Sequence, residues 1–229
     1  MKNTIIKALN DLAKTRQAFF SEADFQFAFS TVLQNVLGNK AQIYLERPVC
    51  GLGYTVDIWV KIGNEIYPIE LKYATKEAEI IDVDGEHIFT KEQVAYDITR
   101  YLYLYDIHRI ENIRDFMAQN DDSLKFANGY AIILTCDKNY YELSRNPQGT
   151  LDETFRIHKG NTNFCPIVKW NNAAKPDDHW TKKQTQYNET FTLQTAVNFD
   201  WVHFSTVMNL KKGKNGQKLE YKYLINEIY

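Results

Sequence analysis

Two strand-like stretches flank the dipeptide Gly63-Asn64, and this arrangement constrains the fold more than any other feature of the chain. Residues 54–62 and 65–74 are rich in β-branched and aromatic side chains, which favour β-strands. A two-residue loop with glycine in its first position is typical of a type II′ turn. The sequence therefore predicts a tight antiparallel hairpin.

The register of this hairpin brings two acids together. Counting outward from the first pair, Ile62 with Glu65, places Asp57 directly opposite Glu70. We expect a non-hydrogen-bonded pair there, in which Cα atoms approach to about 4.5 Å. Like charges in such a pair repel each other, so the pair needs a positive partner. Lys72 lies two residues beyond Glu70 and therefore on the same face.

Two carboxylates and a lysine in this arrangement suit a divalent metal ion. Mg²⁺ prefers oxygen ligands and commonly uses one or two carboxylates with waters and phosphate oxygens; Mn²⁺ is the alternative ion. The carbonyl of Leu71 is a further candidate ligand. Such a site suits metal-assisted phosphodiester hydrolysis, in which Lys72 orients the water or stabilises charge.

The competing interpretation is an ordinary cross-strand ion cluster on a solvated sheet face. The neighbouring residues argue against it, because both faces of the hairpin carry apolar side chains, and buried acids need partners. These side chains are Ile58, Val60, Ile69 and Leu71 on one face and Trp59 and Ile66 on the face of Asp57.

Helical patterns occur before and after the hairpin. Residues 3–16 have apolar residues at helical spacing. A second helix is predicted from Ser21, a good N-cap residue, to about Gly38. A third is predicted over 91–107, with a further helical piece over 109–118 after a break.

The remaining strand patterns complete a sheet. The apolar run 129–135 is typical of a strand buried on both faces. Residues 75–90 are charged and are expected to be irregular. The order of helix, three strands, helix and strand predicts an α/β fold, a mixed sheet flanked by helices with additional C-terminal β-structure. The other predicted strands are 41–47, 154–158, 165–169, 189–196, 199–208 and 219–228.

The run from Asp57 through Glu70 to Lys72 resembles the D…(D/E)xK signature of the PD-(D/E)XK, or restriction-endonuclease-like, nuclease superfamily. The order of elements around it is also similar to that superfamily. Further segments resemble a largely uncharacterised prokaryotic family of this fold, namely SEADFQFAF (21–29), LER (45–47), PIELKY (68–73) and RYLYLYDIHRIE (100–111). The resemblance implies one domain over 1–229, with a nuclease-like core at about 20–137 and a C-terminal elaboration at about 138–229.

The resemblance also implies roles for individual residues. Asp57 and Glu70 match the metal-binding acids, and Lys72 matches the motif lysine. Glu22 matches an acid that many members carry on the helix before the sheet; the alternative is a favourable interaction of an acid with the helix dipole. Val56 stands where many members have proline, a substitution common in the superfamily.

The helix predicted after the motif carries a polar stripe of Gln93, Tyr96, Asp97 and Arg100. A solvated helix face is the simplest explanation of such a stripe. In the superfamily the corresponding helix often directs a glutamine at the active centre, and the resemblance therefore implies that Gln93 is an auxiliary catalytic residue. Arg100 is expected to contact phosphate or to pair with Asp97 or Tyr96. Glu46 is a further candidate acid near the site.

The densest basic stretches lie late in the chain, at Lys182-Lys183 and in the loop 211–218. Trp170 and Trp180 lie near lysines, and aromatic side chains beside lysines can bind single-stranded nucleic acid. The alternatives, which we favour, are tryptophans docked on the core and a solvated hairpin tip.

Composition limits the functional classes. The net charge of −2 means that phosphate contacts must come from a local patch rather than from a broadly basic face. Three scattered cysteines and no signal-peptide or membrane-span pattern indicate a reducing compartment, and we expect a cytoplasmic protein without a membrane partner. The expected function is Mg²⁺-dependent hydrolysis of nucleic acid, with DNA as the favoured partner, in a monomer or homodimer. The alternative is a non-catalytic module of the same fold that binds nucleic acid or a protein, for example in phage defence.

Overall fold

A mixed sheet forms the centre of the protein. The computed structural model describes residues 1–93, 95–120, 123–144, 148–161, 167–171, 187, 189–211 and 216–229. The sheet consists of β1 (Ala41–Val49), β2 (Tyr54–Ile62), β3 (Glu65–Ala74), β6 (Lys125–Phe126), β7 (Gly129–Thr135), β10 (Val202–Asn209) and β11 (Gln217–Ile228). The strand order is β1-β2-β3-β7-β11-β10, with β6 beside β3. Only the β3–β7 and β3–β6 pairs are parallel.

Helices cover both faces of this sheet. One face packs against α1 (Lys2–Thr15) and α2 (Glu22–Leu37), and the other packs against α3 (Tyr96–Gln119). The α/β architecture of a mixed sheet flanked by helices, with strands at the C-terminus, is thus confirmed. The serine N-cap is confirmed as well, because the Ser21 hydroxyl accepts a hydrogen bond from the Asp24 N–H.

The remaining elements are short. A hairpin of β4 (Ala78–Ile81) and β5 (His87–Thr90) lies where the sequence indicated irregular structure. The pair β8 (Ile167–Val168) and β9 (Phe191–Thr192) forms a small separate sheet. The helix α4 (Lys138–Tyr141) follows β7, and a 3₁₀ turn spans Glu153–Phe155 where a strand was expected. No helix in the described part of the chain is long and apolar enough to cross a membrane.

The central hairpin has the expected bounds and register. Gly63 has φ +62°, as the first position of a type II′ turn requires, and the strands pair from Ile62–Glu65 to Ile58–Ile69. Ile58 and Ile69 are fully buried against α1 and α2, where each large aliphatic side chain contributes about 1.5–3 kcal/mol of hydrophobic stabilisation. The ladder ends at Ile58–Ile69. The expected pairing of Asp57 with Glu70 was therefore wrong, because these two residues lie beyond the end of the ladder.

The third helix differs from the prediction at both ends. It begins at Tyr96 rather than near residue 91, and it continues without a break to Gln119. The expected break fell at Ile107-His108, but burial of Ile107 and Ile110 at one-turn spacing keeps the helix packed on the sheet. Gln93 therefore precedes the helix, and the predicted polar stripe does not form as a single face.

A close approach between α3 and β7 makes Gly129 sensitive to substitution. A Cβ atom at this position would lie 2.1 Å from Cγ2 of the buried Ile110. We expect Gly129→Ala to lower the free energy of unfolding by about 1–3 kcal/mol, as overpacking of a tight core does. Urea unfolding followed by circular dichroism measures this loss. The substitution should cost less in an Ile110→Ala background, and an equal cost in both backgrounds would contradict the packing explanation.

Candidate active site

The site begins where β2 separates from β3. Alternate residues of β3 direct their backbone N–H groups toward β2. Beyond Ile69, the N–H groups of Leu71 and Tyr73 also point toward β2 but have no partner on that strand. The Asp57 carboxylate accepts the hydrogen bond from Leu71 N–H at 2.6 Å, and the Glu22 carboxylate accepts that from Tyr73 N–H at 2.7 Å. Two acids from different elements are thereby held side by side along one strand edge.

Irregular backbone in the neighbouring strand accompanies this separation. Glu46 of β1 has φ +49°, a conformation that residues other than glycine seldom adopt. The β1–β2 ladder omits the pair Glu46–Asp57 but keeps its register on both sides. Val56 and Trp59 pack in the same hydrophobic cluster, although residues three apart in a regular strand face opposite ways. Asp57 therefore lies at a local kink of the sheet.

The segment before α2 places Glu22 at the site. The Tyr73 hydroxyl accepts a hydrogen bond from Phe19 N–H and donates one to Phe19 C=O, both at 3.0 Å. Tyr73 thus fixes the entry to α2 through its side chain and binds Glu22 through its backbone. Although the Glu22 residue is exposed on the first helical turn, its carboxyl end is desolvated in the cleft, and this burial raises its pKa.

Glu70 and Lys72 lie on the face of β3 that α3 covers. The Lys72 ammonium lies 2.7 Å from the Asp106 carboxylate, and the Arg109 guanidinium lies 3.2 Å from the Glu70 carboxylate. Arg109 also donates to the carbonyl of Thr55 and lies 3.3 Å from Asp106. Helix α3 therefore supplies one acid and one base that complete the charged cluster.

The cluster is unbalanced in charge. Its formal charge is −2 when all six groups are ionised. The four acids are Glu22, Asp57, Glu70 and Asp106, and the two bases are Lys72 and Arg109. Burial, followed by the charges of Asp106 and Asp57, raises the pKa of Glu70 well above its usual range. Burial also raises the pKa of Asp57. Burial favours the neutral form of Lys72, but Asp106, Glu22 and Asp57 outweigh it and raise its pKa.

Glu70 has unsatisfied hydrogen-bonding capacity. It is 1% exposed, and neither of its carboxylate oxygens accepts a hydrogen bond from the described residues. Buried carboxylates without hydrogen bonds are costly, and the Arg109 guanidinium together with a side-chain hydrogen bond to Asp57 offsets part of that cost for Glu70. Among the described residues, no three acid, histidine or cysteine side chains converge in metal-ligand geometry. The Lys72 ammonium lies among the acids instead and donates to the Leu71 carbonyl at 3.0 Å.

Gln26 connects the helix to the kinked strands. Its side-chain amide donates to the Glu46 carboxylate and to the backbone carbonyl of Asp57, both at 2.7 Å. Glu46 therefore lies next to the site, but it is exposed and its contact is with Gln26 rather than with the other acids. Gln26 orients the backbone that carries Asp57.

A cleft of about 580 Å³ opens beside Glu22 and Lys72, and Gln93 borders it. The backbone N–H of Gln93 donates to the Thr75 carbonyl at 3.0 Å, which fixes this residue at the cleft although it lies outside α3. The cleft gives a ligand access to the Lys72 side of the cluster.

Other candidates have structural roles. Arg100 is buried and forms an ion pair with Asp152, a partner that the sequence did not indicate. Trp170 is buried and donates from its indole nitrogen to the Tyr187 carbonyl at 2.7 Å, which confirms the docked alternative. Trp180, Lys182-Lys183 and residues 212–215 lie outside the described residues.

Three residues of the site were missed at the level of sequence, namely Gln26, Asp106 and Arg109. Asp106 and Arg109 are one turn apart in the stretch 101–110, whose other residues are apolar or aromatic apart from His108. Charged residues inside a largely buried helix are a usable signal. Gln26 adjoins Phe25 on α2 and is buried with it.

No protein-family model, no curated protein and no solved structure matches the chain. The functional interpretation therefore depends on the geometry and electrostatics of the site itself.

The raised pKa of Glu70 predicts that this acid destabilises the protein at neutral and higher pH. Its folded-state pKa exceeds the unfolded value, so ionisation costs stability as the pH rises above the unfolded pKa, by up to about 1.4 kcal/mol per pH unit until the folded pKa is passed. We expect Glu70→Gln to gain stability relative to the wild type as the pH increases from 5 to 8. Arg109 keeps Asp106 as a partner in this variant.

Urea unfolding at several pH values measures this difference. Glu65→Gln, at the exposed start of the same strand, controls for the loss of one negative charge. A Glu70→Gln variant that is less stable than the wild type by the same amount at every pH would contradict the interpretation.

Proposed function

We propose that the protein is a metal-dependent phosphodiesterase of the restriction-endonuclease-like type that acts on nucleic acid, with DNA as the favoured substrate. The observation that carries this proposal is that Glu22, Asp57 and Glu70 all interact electrostatically with Lys72 where β2 and β3 separate, although their carboxylates are not already gathered in metal-ligand geometry. Desolvated groups with perturbed pKa values, gathered beside a cleft, are typical of active sites.

The donor set fits a hard divalent cation such as Mg²⁺ or Mn²⁺. All the available ligand atoms are oxygens, which Mg²⁺ prefers. The Glu70 carboxylate lies 3.2 Å from the Arg109 guanidinium but accepts no hydrogen bond of regular geometry from the described residues. Asp57, Glu70 and Glu22 would hold the ion, with the Leu71 carbonyl as a further ligand once Lys72 releases it. When bound, the ion would neutralise charge on the phosphate and lower the pKa of a bound water.

Each residue of the cluster has a distinct chemical task. Lys72 remains protonated and can stabilise the negative charge that develops on the phosphate. Glu22 borders the cleft, and its raised pKa makes it a better proton acceptor near neutral pH than an ordinary glutamate. Gln93 lies across the same cleft, where its amide can position the substrate or a water.

The residues of α3 position this machinery. Asp106 holds the Lys72 ammonium, and Arg109 offsets the charge of Glu70. Without Asp106, the Lys72 ammonium would lose its ion-pair partner on α3. Without Arg109, the pKa of Glu70 would be raised further, because Arg109 is one of the charges that lower it. We therefore assign Asp106 and Arg109 as positioning residues.

A cation that binds the acid cluster should stabilise the fold. At a metal concentration of about 100 times Kd, a ligand specific to the native state adds about 2.7 kcal/mol, which raises Tm by several degrees in a protein of this size. Differential scanning fluorimetry with Mg²⁺ or Mn²⁺ measures the shift. Glu70→Gln should abolish it and Glu65→Gln should retain it. An equal shift in both variants would place the cation elsewhere.

Cleavage of nucleic acid tests the activity directly. We expect labelled single- or double-stranded DNA, or RNA, to be cut in Mg²⁺ or Mn²⁺ and to remain intact in EDTA. Lys72→Ala should lower the rate by about 100-fold or more, since removal of one group that stabilises developing charge typically costs that much.

Lys61→Ala is the matched control, because Lys61 lies on β2 away from the cluster. If no nucleic acid is cut with either metal, or if Lys72→Ala cuts as fast as the wild type, the catalytic proposal fails. Binding of nucleic acid without cleavage would favour the non-catalytic module.

A further inference from the structure

A second groove lies on the same side of the sheet as Lys72, toward the C-terminal end of α3. We call it the Trp59 groove; it has a volume of about 590 Å³ and is lined by Arg47, Val49, Trp59, Phe116, Met117 and Leu124. That volume is in the range of small-ligand pockets. It is separate from the cleft beside Lys72 and takes no part in the proposed chemistry.

The chemistry of the groove is that of a stacking site. The Arg47 guanidinium lies 4.3 Å from the centre of the Trp59 ring and 5.6 Å from that of Tyr44, which is paired with Trp59 across the strands. Guanidinium planes and aromatic rings are the groups on which proteins stack nucleobases. Arg47 is also the single charged residue among the described residues of the lining, so the groove favours an anionic ligand.

One polar group in the groove wall lacks a partner. Trp59 is 4% exposed, and its indole N–H is buried without a hydrogen-bond acceptor among the described residues. Buried indole N–H groups usually have an acceptor. A nucleobase has an aromatic face that matches the Arg47 guanidinium plane. It also carries acceptor atoms on its edge, which can reach the indole N–H when the side chains that cover this buried atom move aside.

The position of the groove suits the neighbouring part of a polynucleotide. Arg109, which contacts Glu70, and Met117 of the groove are both on α3. At 1.5 Å per residue they are about 12 Å apart along the helix axis. This is the rise of about three to four nucleotides at 3.4 Å each, so one strand can reach both places.

We propose that the Trp59 groove binds an unpaired nucleobase of the nucleic-acid substrate, stacked against the Arg47 guanidinium, which itself lies over the Trp59 ring. The proposal rests on the proposed action on nucleic acid and specifies its substrate as a strand with unpaired bases. A base within a duplex has both faces covered by its neighbours and cannot enter such a groove.

Comparison of a normal with an abasic single strand isolates the base from the phosphate backbone. Fluorescence anisotropy in EDTA, where no cleavage occurs, gives the affinity of the protein for each labelled strand. We expect the wild type to bind the normal strand about tenfold more tightly, as stacking of one base predicts. Arg47→Ala should remove this preference. Arg47→Lys keeps the charge but loses the planar group, and should also lose most of it.

Lys61→Ala is the control, because it removes one positive charge from β2 outside the groove, and it should keep the preference. Equal binding of both strands by the wild type, or a preference that survives in both Arg47 variants, would overturn the proposal. A concentration-dependent dimer that Arg47→Ala dissociates in sedimentation experiments would assign the groove to a second copy of the chain and overturn it as well.

The two proposals fail separately. If the base preference depends on Arg47 but no strand is cut with Mg²⁺ or Mn²⁺, the groove assignment stands and the catalytic proposal fails. If cutting depends on Lys72 but the base preference does not depend on Arg47, the catalytic proposal stands and the groove assignment fails.

Discussion

The separation of β2 from β3 after the pair Ile58–Ile69 is the constraint on which the site depends. Backbone N–H groups inside a protein must be hydrogen-bonded, and the separation leaves those of Leu71 and Tyr73 without a strand. The carboxylates of Asp57 and Glu22 take the place of the missing ladder. The need to satisfy two backbone N–H groups thus fixes Asp57 and Glu22 at the edge of β3, the strand that also carries Glu70 and Lys72.

This arrangement has an energetic cost that the surrounding fold must offset. Acids that share a desolvated site lose hydration and repel each other. Burial first, and then the charges of the neighbouring acids, raise the pKa values of Glu22, Asp57 and Glu70. Natural proteins retain such unfavourable groups mainly where function requires them. The buried aliphatic residues of the hairpin and the aromatic cluster around Phe19 and Tyr73 supply rigid packing on the other face, which keeps the acids in place despite the repulsion.

The hairpin could be predicted from the sequence because its information is local. Turn chemistry at Gly63 and two-residue alternation set the register, and both are properties of adjacent residues. The end of the ladder could not be predicted, because it depends on Glu46 in β1 and on Gln26 in α2, which are distant in sequence. The predicted start of α3 was wrong for a similar reason. Residues 91–95 continue the sequence pattern of the helix, but the Gln93 N–H donates its hydrogen bond to the carbonyl of Thr75, which is distant in sequence.

Helix α3 explains why the missed residues matter. Its central turns carry Asp106 and Arg109 over Lys72 and Glu70, its first turns border the cleft beside Gln93, and its last turns line the Trp59 groove. One rigid element therefore fixes the distance between the charged cluster and both openings. Buried Ile107, Ile110 and Ile113 hold this helix against the sheet. The two openings and the acid cluster thus share one supporting helix, although their other residues lie far apart in the sequence.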